Sequence, residues 1–144
     1  MVRFIMTGIF LLLLVNCNPK HEIIQDQKEF EYIIPPELDD WEILILALIE
    51  VESEGDQFAV GKTNDLGILQ ITPIYVKEVN RILGGDFYFL EDRTDIDKSL
   101  EMFEVYQSHH NPSKDIHRAI KIHNPGAGQW YINKVMNEFN KIKG

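Results

Sequence analysis

Cysteine is all but missing: Cys17 stands alone, so no disulfide can form within the chain. Basic residues are scarce too, 14 Lys and Arg against 23 Asp and Glu, for a formal net charge of −9. They form no stripe of one sign, which removes nucleic acid as an expected partner. The same acidity removes any general electrostatic pull towards anionic wall polymers or anionic lipid. No apolar run approaches the roughly 20 residues needed to cross a bilayer as a helix. Internal repeats and low-complexity segments are absent. His21, His109, His110 and His117 have no cysteine or carboxylate beside them at ligand spacing, so neither a metal nor another cofactor is expected.

What is present begins with Arg3, followed by an apolar run from Phe4 to Val15 and then Asn16-Cys17. The run has the length of the hydrophobic part of an export signal. Leu14-Val15-Asn16-Cys17 resembles the lipobox of bacterial lipoproteins, with Asn16 where that pattern has Gly, Ala or Ser. The resemblance implies lipidation of Cys17 and a protein on the periplasmic side of a bacterial membrane, or a secreted one if Cys17 stays unmodified. A single acyl chain holds weakly, and stable anchoring takes more than one. Residues 1–16 thus read as a lipoprotein-type signal and 17–37 as a polar tether stiffened by Pro35-Pro36.

The remainder, 38–144, is long enough for one core and too short for two domains. Helical periodicity predicts a mostly α domain of about five to six helices. The first runs from about Trp41 to Ser53, with Asp39 or Asp40 as N-cap, so uniformly apolar from Ile43 to Val51 that it should be central and buried. Thr72-Pro73 opens another that ends at Gly84-Gly85. Further helices are expected from Thr94 or Asp95 to about Ser108, from Lys114 to His123, and from Gln129 to about Ile142, the last carrying Trp130, Ile132, Val135 and Phe139. Between residues 55 and 69 there is room for a small β-hairpin, though no alternation of apolar and polar residues marks one.

The chemistry-bearing candidates cluster at the end of the first helix, where Glu50, Glu52 and Glu54 follow an apolar stretch. Burial and the negative pole of the helix dipole both act against an ionised carboxylate there, which suits a group that must hold a proton and deliver it to a glycosidic oxygen. A glutamate in a last turn can equally reach solvent. Periodicity does not choose among the three, since neighbours two apart point to nearly opposite faces.

Three segments narrow the choice: Ala47-Leu48-Ile49-Glu50-Val51-Glu52-Ser53, Gly67-Ile68-Leu69-Gln70, and Ala119-Ile120-Lys121-Ile122-His123-Asn124-Pro125-Gly126. In order and spacing they resemble the Glu-Ser, Gly-Leu-Met-Gln and Ala-x-x-x-Tyr-Asn-x-Gly motifs of the soluble-lytic-transglycosylase-like branch of the lysozyme superfamily, from roughly Leu38 to Ile142. The resemblance implies a lysozyme-like fold, with Glu52 as catalytic acid and base. It places Ser53 against the saccharide, Gln70 beside Glu52 in the cleft, Gly67 where the backbone passes close to bound sugar, and Asn124 on the far wall. His123 occupies the position of a tyrosine understood to hydrogen-bond the catalytic carboxyl. A protonated imidazole there would favour the ionised carboxylate, which leaves the working pH open.

The implied substrate is peptidoglycan, cut between N-acetylmuramic acid and N-acetylglucosamine by a monomer that needs no cofactor, with the substrate's own acetamido group in place of a second carboxylate. The similar goose-type lysozymes, which hydrolyse this bond, carry an aspartate two residues after the motif glutamine. Here that residue is Thr72, which favours ring closure to a 1,6-anhydro product, while Asp65 and Asp56 are candidate second carboxylates for hydrolysis. A wall-binding lipoprotein without turnover is the non-catalytic alternative, and the small size also fits a monomer serving a secretion or conjugation apparatus.

Overall fold

A computed structural model of the chain describes residues 37–144. The expected export signal, Cys17 and almost all of the expected tether lie outside the described residues. Among the described residues five α-helices and one 3₁₀ turn account for the regular structure, so the expectation of a mostly α domain holds. Among the described residues no helix is long and apolar enough to cross a membrane.

Helix α1, Asp40–Ser53, starts at Asp39, whose carboxylate accepts from the amides of Trp41 and Glu42 at 2.8 Å each. Glu42 reaches back to the Asp39 amide at 2.9 Å, completing a reciprocal cap that satisfies donors a helix start leaves unpaired. Leu44, Ala47 and Leu48 are fully buried, yet Leu46 is exposed, so α1 is central on one broad face and open on another. It ends at Ser53 as expected, with Glu54 in the left-handed conformation as its cap.

Helix α2, Pro73–Leu83, is capped by the Thr72 hydroxyl, which accepts from the Tyr75 amide at 3.0 Å, and stops at Gly84. The 3₁₀ turn Leu90–Thr94 leads into α3, Ile96–His110, with Asp95 as N-cap. Helix α4, Ile116–His123, begins two residues later than periodicity suggests because Lys114 takes a positive φ of 52° and Asp115 supplies the cap. Helix α5, Gln129–Lys143, packs most extensively along α1. Its inward face is Tyr131, Val135 and Phe139, four residues apart, whereas Trp130 is exposed and Ile132 only partly buried.

The small hairpin for which residues 55–69 leave room does not form. Two isolated antiparallel bridges, Val60 with Leu66 and Leu66 with Ile71, fold this loop back on itself. Its composition lacks the alternation that would give a strand a buried face. Buried Arg93 does the fastening instead, donating to the carbonyls of Asn64 at 2.7 Å, Ile71 at 3.2 Å and Leu90 at 2.7 Å. Gly67 lies under the Arg93 backbone: at φ 80° a Cβ here would stand 1.9 Å from the Arg93 carbonyl oxygen.

Two buried amides fix α4 against α3. Gln107 donates to the Ala119 carbonyl at 3.2 Å, and Asn111 brackets Asp115 by donating to its carbonyl at 2.9 Å and accepting from its amide at 3.2 Å.

Replacing Arg93 by Met should remove the side-chain donor from the Asn64 and Leu90 carbonyls, leave the Ile71 carbonyl with the Leu66 amide alone, and destabilise the fold by roughly 2–4 kcal/mol. Urea denaturation checks this. A variant as stable as the parent would show that the loop does not depend on the guanidinium.

Candidate active site

The fold separates the three glutamates that the sequence alone leaves equivalent. Glu50 and Glu54 are exposed, while the Glu52 side chain is only 13% exposed and lines a cavity of about 540 Å³. Gln70, Thr72, His123 and Asn124 line the same cavity, as do Asp65 from the folded-back loop and Tyr75, Glu78 and Tyr106 from α2 and α3. Ser53 and Gly67 are not among its lining residues. The Ser53 hydroxyl is directed at the carbonyls of Ile68, 2.9 Å away, and Ile49, 3.2 Å away, which ties the end of α1 to the following loop.

Glu52 Oε1 accepts a hydrogen bond from the phenol of Tyr131, which reaches it from the first turn of α5. Burial first, then the charge and hydrogen bond of Glu52, hold the Tyr131 phenol well above its ordinary value of 10, so it stays a donor. Oε2 makes no hydrogen bond to any described residue. Lys134, one turn further along α5, donates to the Val51 carbonyl at 3.2 Å and satisfies an acceptor at the end of α1. Sequence reasoning missed Tyr131. The signal was available in the four-residue spacing to Val135 and Phe139, which places it on the buried side of α5.

His123 does not take over the hydrogen bond expected of a tyrosine at its position. Its Nε2 lies 3.1 Å from the Leu69 carbonyl oxygen and 3.6 Å from Glu52 Oε1, the latter too long for a hydrogen bond. A carbonyl only accepts, so Nε2 carries the hydrogen and the neutral ring leaves Nδ1 as an acceptor. Nδ1 is buried and finds no partner among the described residues. Burial depresses the imidazole below its ordinary 6.5, opposed by the charge of Glu52 and the Leu69 carbonyl. At neutral pH the ring is therefore uncharged and does not act on Glu52 as a cation.

Glu78 is the wrong carboxyl for an acid. A hydrogen bond from Arg81 foremost, with a second from His110, brings it down to about 2, so it is ionised throughout the physiological range. Gln70 sits at φ 47°, uncommon for a residue with a side chain, and its amide nitrogen donates to the carbonyls of Ala59 at 3.1 Å and Gly67 at 2.9 Å. Asn124 ends α4, and its side chain makes no hydrogen bond to described residues, leaving the carboxamide available at the cavity wall. Among the described residues no three His, Cys, Asp or Glu converge as metal ligands. A second hollow of about 760 Å³ lies along α2 and the Gly84-Gly85 turn, but Asp86 is the one carboxyl that lines it, and it is exposed.

The transglycosylase SLT domain is the family whose profile matches this chain, over residues 37–143. No curated protein and no solved structure gives a significant match.

The histidine sets a pH dependence whose sign follows from linkage. The unfolded chain takes up a proton at His123 near pH 6.5 and the folded chain only at lower pH, so stability falls as pH drops below about 6.5 and this loss levels off beneath the folded value. His123→Phe should flatten the decline measured by denaturation between about pH 7 and about pH 5.5, by up to about 1.4 kcal/mol per pH unit. Equal slopes in the two proteins would contradict the assignment of a buried neutral ring.

Proposed function

The chain belongs to the transglycosylase SLT domain family, and on that premise we propose that it is an active lytic transglycosylase that cleaves the β-1,4 bond between N-acetylmuramic acid and N-acetylglucosamine and leaves 1,6-anhydromuramyl ends. One observation carries the reading: Glu52 is held at the cavity by one oxygen, through Tyr131, while its other oxygen has no partner among the described residues. A carboxyl so placed keeps its geometry and leaves one oxygen to exchange a proton with substrate.

The chemistry then runs on a single carboxyl. Glu52 gives its proton to the glycosidic oxygen as the C1–O bond breaks, and the acetamido oxygen of the muramyl sugar closes on C1. The resulting carboxylate takes the proton of the C6 hydroxyl, whose oxygen displaces the acetamido oxygen from C1. Glu52 is thereby reprotonated, and no water is consumed. Tyr131 keeps Oε1 occupied through both steps. Neutral His123 packs edge-on against Phe103 at 5.7 Å and adds no positive charge that would hold Glu52 ionised. The free carboxamide of Asn124 suits an N-acetyl group or a sugar hydroxyl. Thr72, at the position where goose-type lysozymes carry an aspartate, spends its hydroxyl oxygen on the cap of α2.

Export and attachment to a membrane through a lipid on Cys17 belong to the same reading and rest on the sequence Leu14-Val15-Asn16-Cys17. Cys17→Ser should move the protein from the membrane to the soluble fraction of cells. Retention in the membrane would argue against that anchor.

Glu52→Gln should lower release of anhydro-muropeptides from purified peptidoglycan by roughly 10²–10⁴-fold with the fold intact. Tyr131→Phe should lower it about 10- to 100-fold, the worth of one hydrogen bond to a charged group. Mass spectrometry of the products is the readout, and full activity in Glu52→Gln would remove the acid from the mechanism.

A further inference from the structure

The loop wall of the cavity presents two acceptors side by side. The Gln70 amide nitrogen is occupied by the Ala59 and Gly67 carbonyls, which fixes the orientation of the carboxamide and leaves Oε1 as its other end. A Cβ on Gly61 would stand 2.5 Å from Gln70 Oε1 and 2.7 Å from Asp65 Oδ2, so both oxygens converge over that glycine. The Thr63 hydroxyl lies 2.8 Å from each Asp65 carboxylate oxygen but carries one hydrogen, and no basic side chain forms an ion pair with Asp65 among the described residues. Asp65 thus keeps acceptor capacity in the cavity that Glu52 lines. The other candidate carboxylate, Asp56, is exposed, accepts from the Phe58 amide at 2.8 Å and is not among the lining residues.

Building on the glycan-cleaving reading above, we propose that Asp65 and Gln70 hold a water molecule in the cleft and that Asp65 is the base of a hydrolytic branch competing with ring closure. A water that donates one hydrogen to Asp65 and the other to Gln70 Oε1 turns a lone pair away from both, towards the sugar. Once Glu52 has protonated the departing oxygen and the acetamido oxygen has closed on C1, this water attacks C1. The C1–O bond to water forms, the bond to the acetamido oxygen breaks, and the released proton passes to the Asp65 carboxylate and on to solvent, from which Glu52 is reprotonated. The product is a reducing muramyl end, heavier than the anhydro end by one water. Gly61 is the local requirement of the arrangement, since a side chain there would push both acceptors apart.

The purified full chain, incubated with peptidoglycan, should release reducing and anhydro ends together. Asp65→Asn should lower the ratio of reducing to anhydro ends about tenfold or more. Gly61→Ala keeps the carboxylate and meets no positive-φ strain, and its Cβ, 2.5 Å from Gln70 Oε1, 2.7 Å from Asp65 Oδ2 and 2.9 Å from Asp65 Cβ, forces both side chains away from their present positions. It should shift the ratio in the same direction, and it carries the test alone if Asp65→Asn fails to fold. Anhydro ends alone from the parent protein, or an unchanged ratio in the folded variants, overturns this inference and leaves the transglycosylase reading standing. Absence of both products from the folded parent overturns that reading and this inference with it.

Discussion

The hydrogen bond from Tyr131 to Glu52 joins the two helices on which the rest of the domain is arranged. It is made where the last turn of α1 meets the first turn of α5, so its geometry depends on the whole length over which these helices pack. Val135 and Phe139 carry that packing inward from Tyr131. At the opposite end Lys143 lies 2.6 Å from Asp40, a surface pair that adds little energy but agrees with the register. A carboxyl tied to a neighbouring helix cannot swing to solvent without breaking a part-buried hydrogen bond, and this is what separates Glu52 from Glu50 and Glu54.

The other walls of the cavity are set by different means. Helix α4 is placed by the amides of Gln107 and Asn111, and through it His123 and Asn124 are placed too. The loop from Glu54 to Ile71 has no strand to hold it and depends on Arg93, whose guanidinium bonds its carbonyls while the Arg93 backbone closes over Gly67. Apolar packing alone would leave such a loop free to shift. Its fixed position brings Asp65 and Gln70 to the cleft.

Much of this was legible in the sequence because helix boundaries are written in short-range chemistry. Asp39, Thr72 and Asp95 cap helices, and Pro73 and Gly84 bound α2 where their backbone preferences require, whereas the Asp115 cap was missed because apolar spacing alone began α4 at Lys114. What depends on tertiary contact was not legible. The tyrosine that holds Glu52 comes from a helix 79 residues away and was hidden beside the more conspicuous Trp130. The neutrality of His123 follows from burial against Phe103 and Tyr75, which outweighs the Glu52 charge and the Leu69 carbonyl and which no local pattern announces. Gly67 sits under a backbone carbonyl from the 3₁₀ turn, a reason for glycine that only the folded loop reveals.

The account stands on one claim, that the Glu52 oxygen not engaged by Tyr131 is the one that meets the scissile bond. A crystal structure of the Glu52→Gln variant with a peptidoglycan tetrasaccharide tests it directly. The account predicts the glycosidic oxygen within about 3 Å of the side-chain atom of residue 52 that Tyr131 does not bind. A saccharide seated in the hollow along α2, or one whose glycosidic oxygen faces the Tyr131 side, would contradict it.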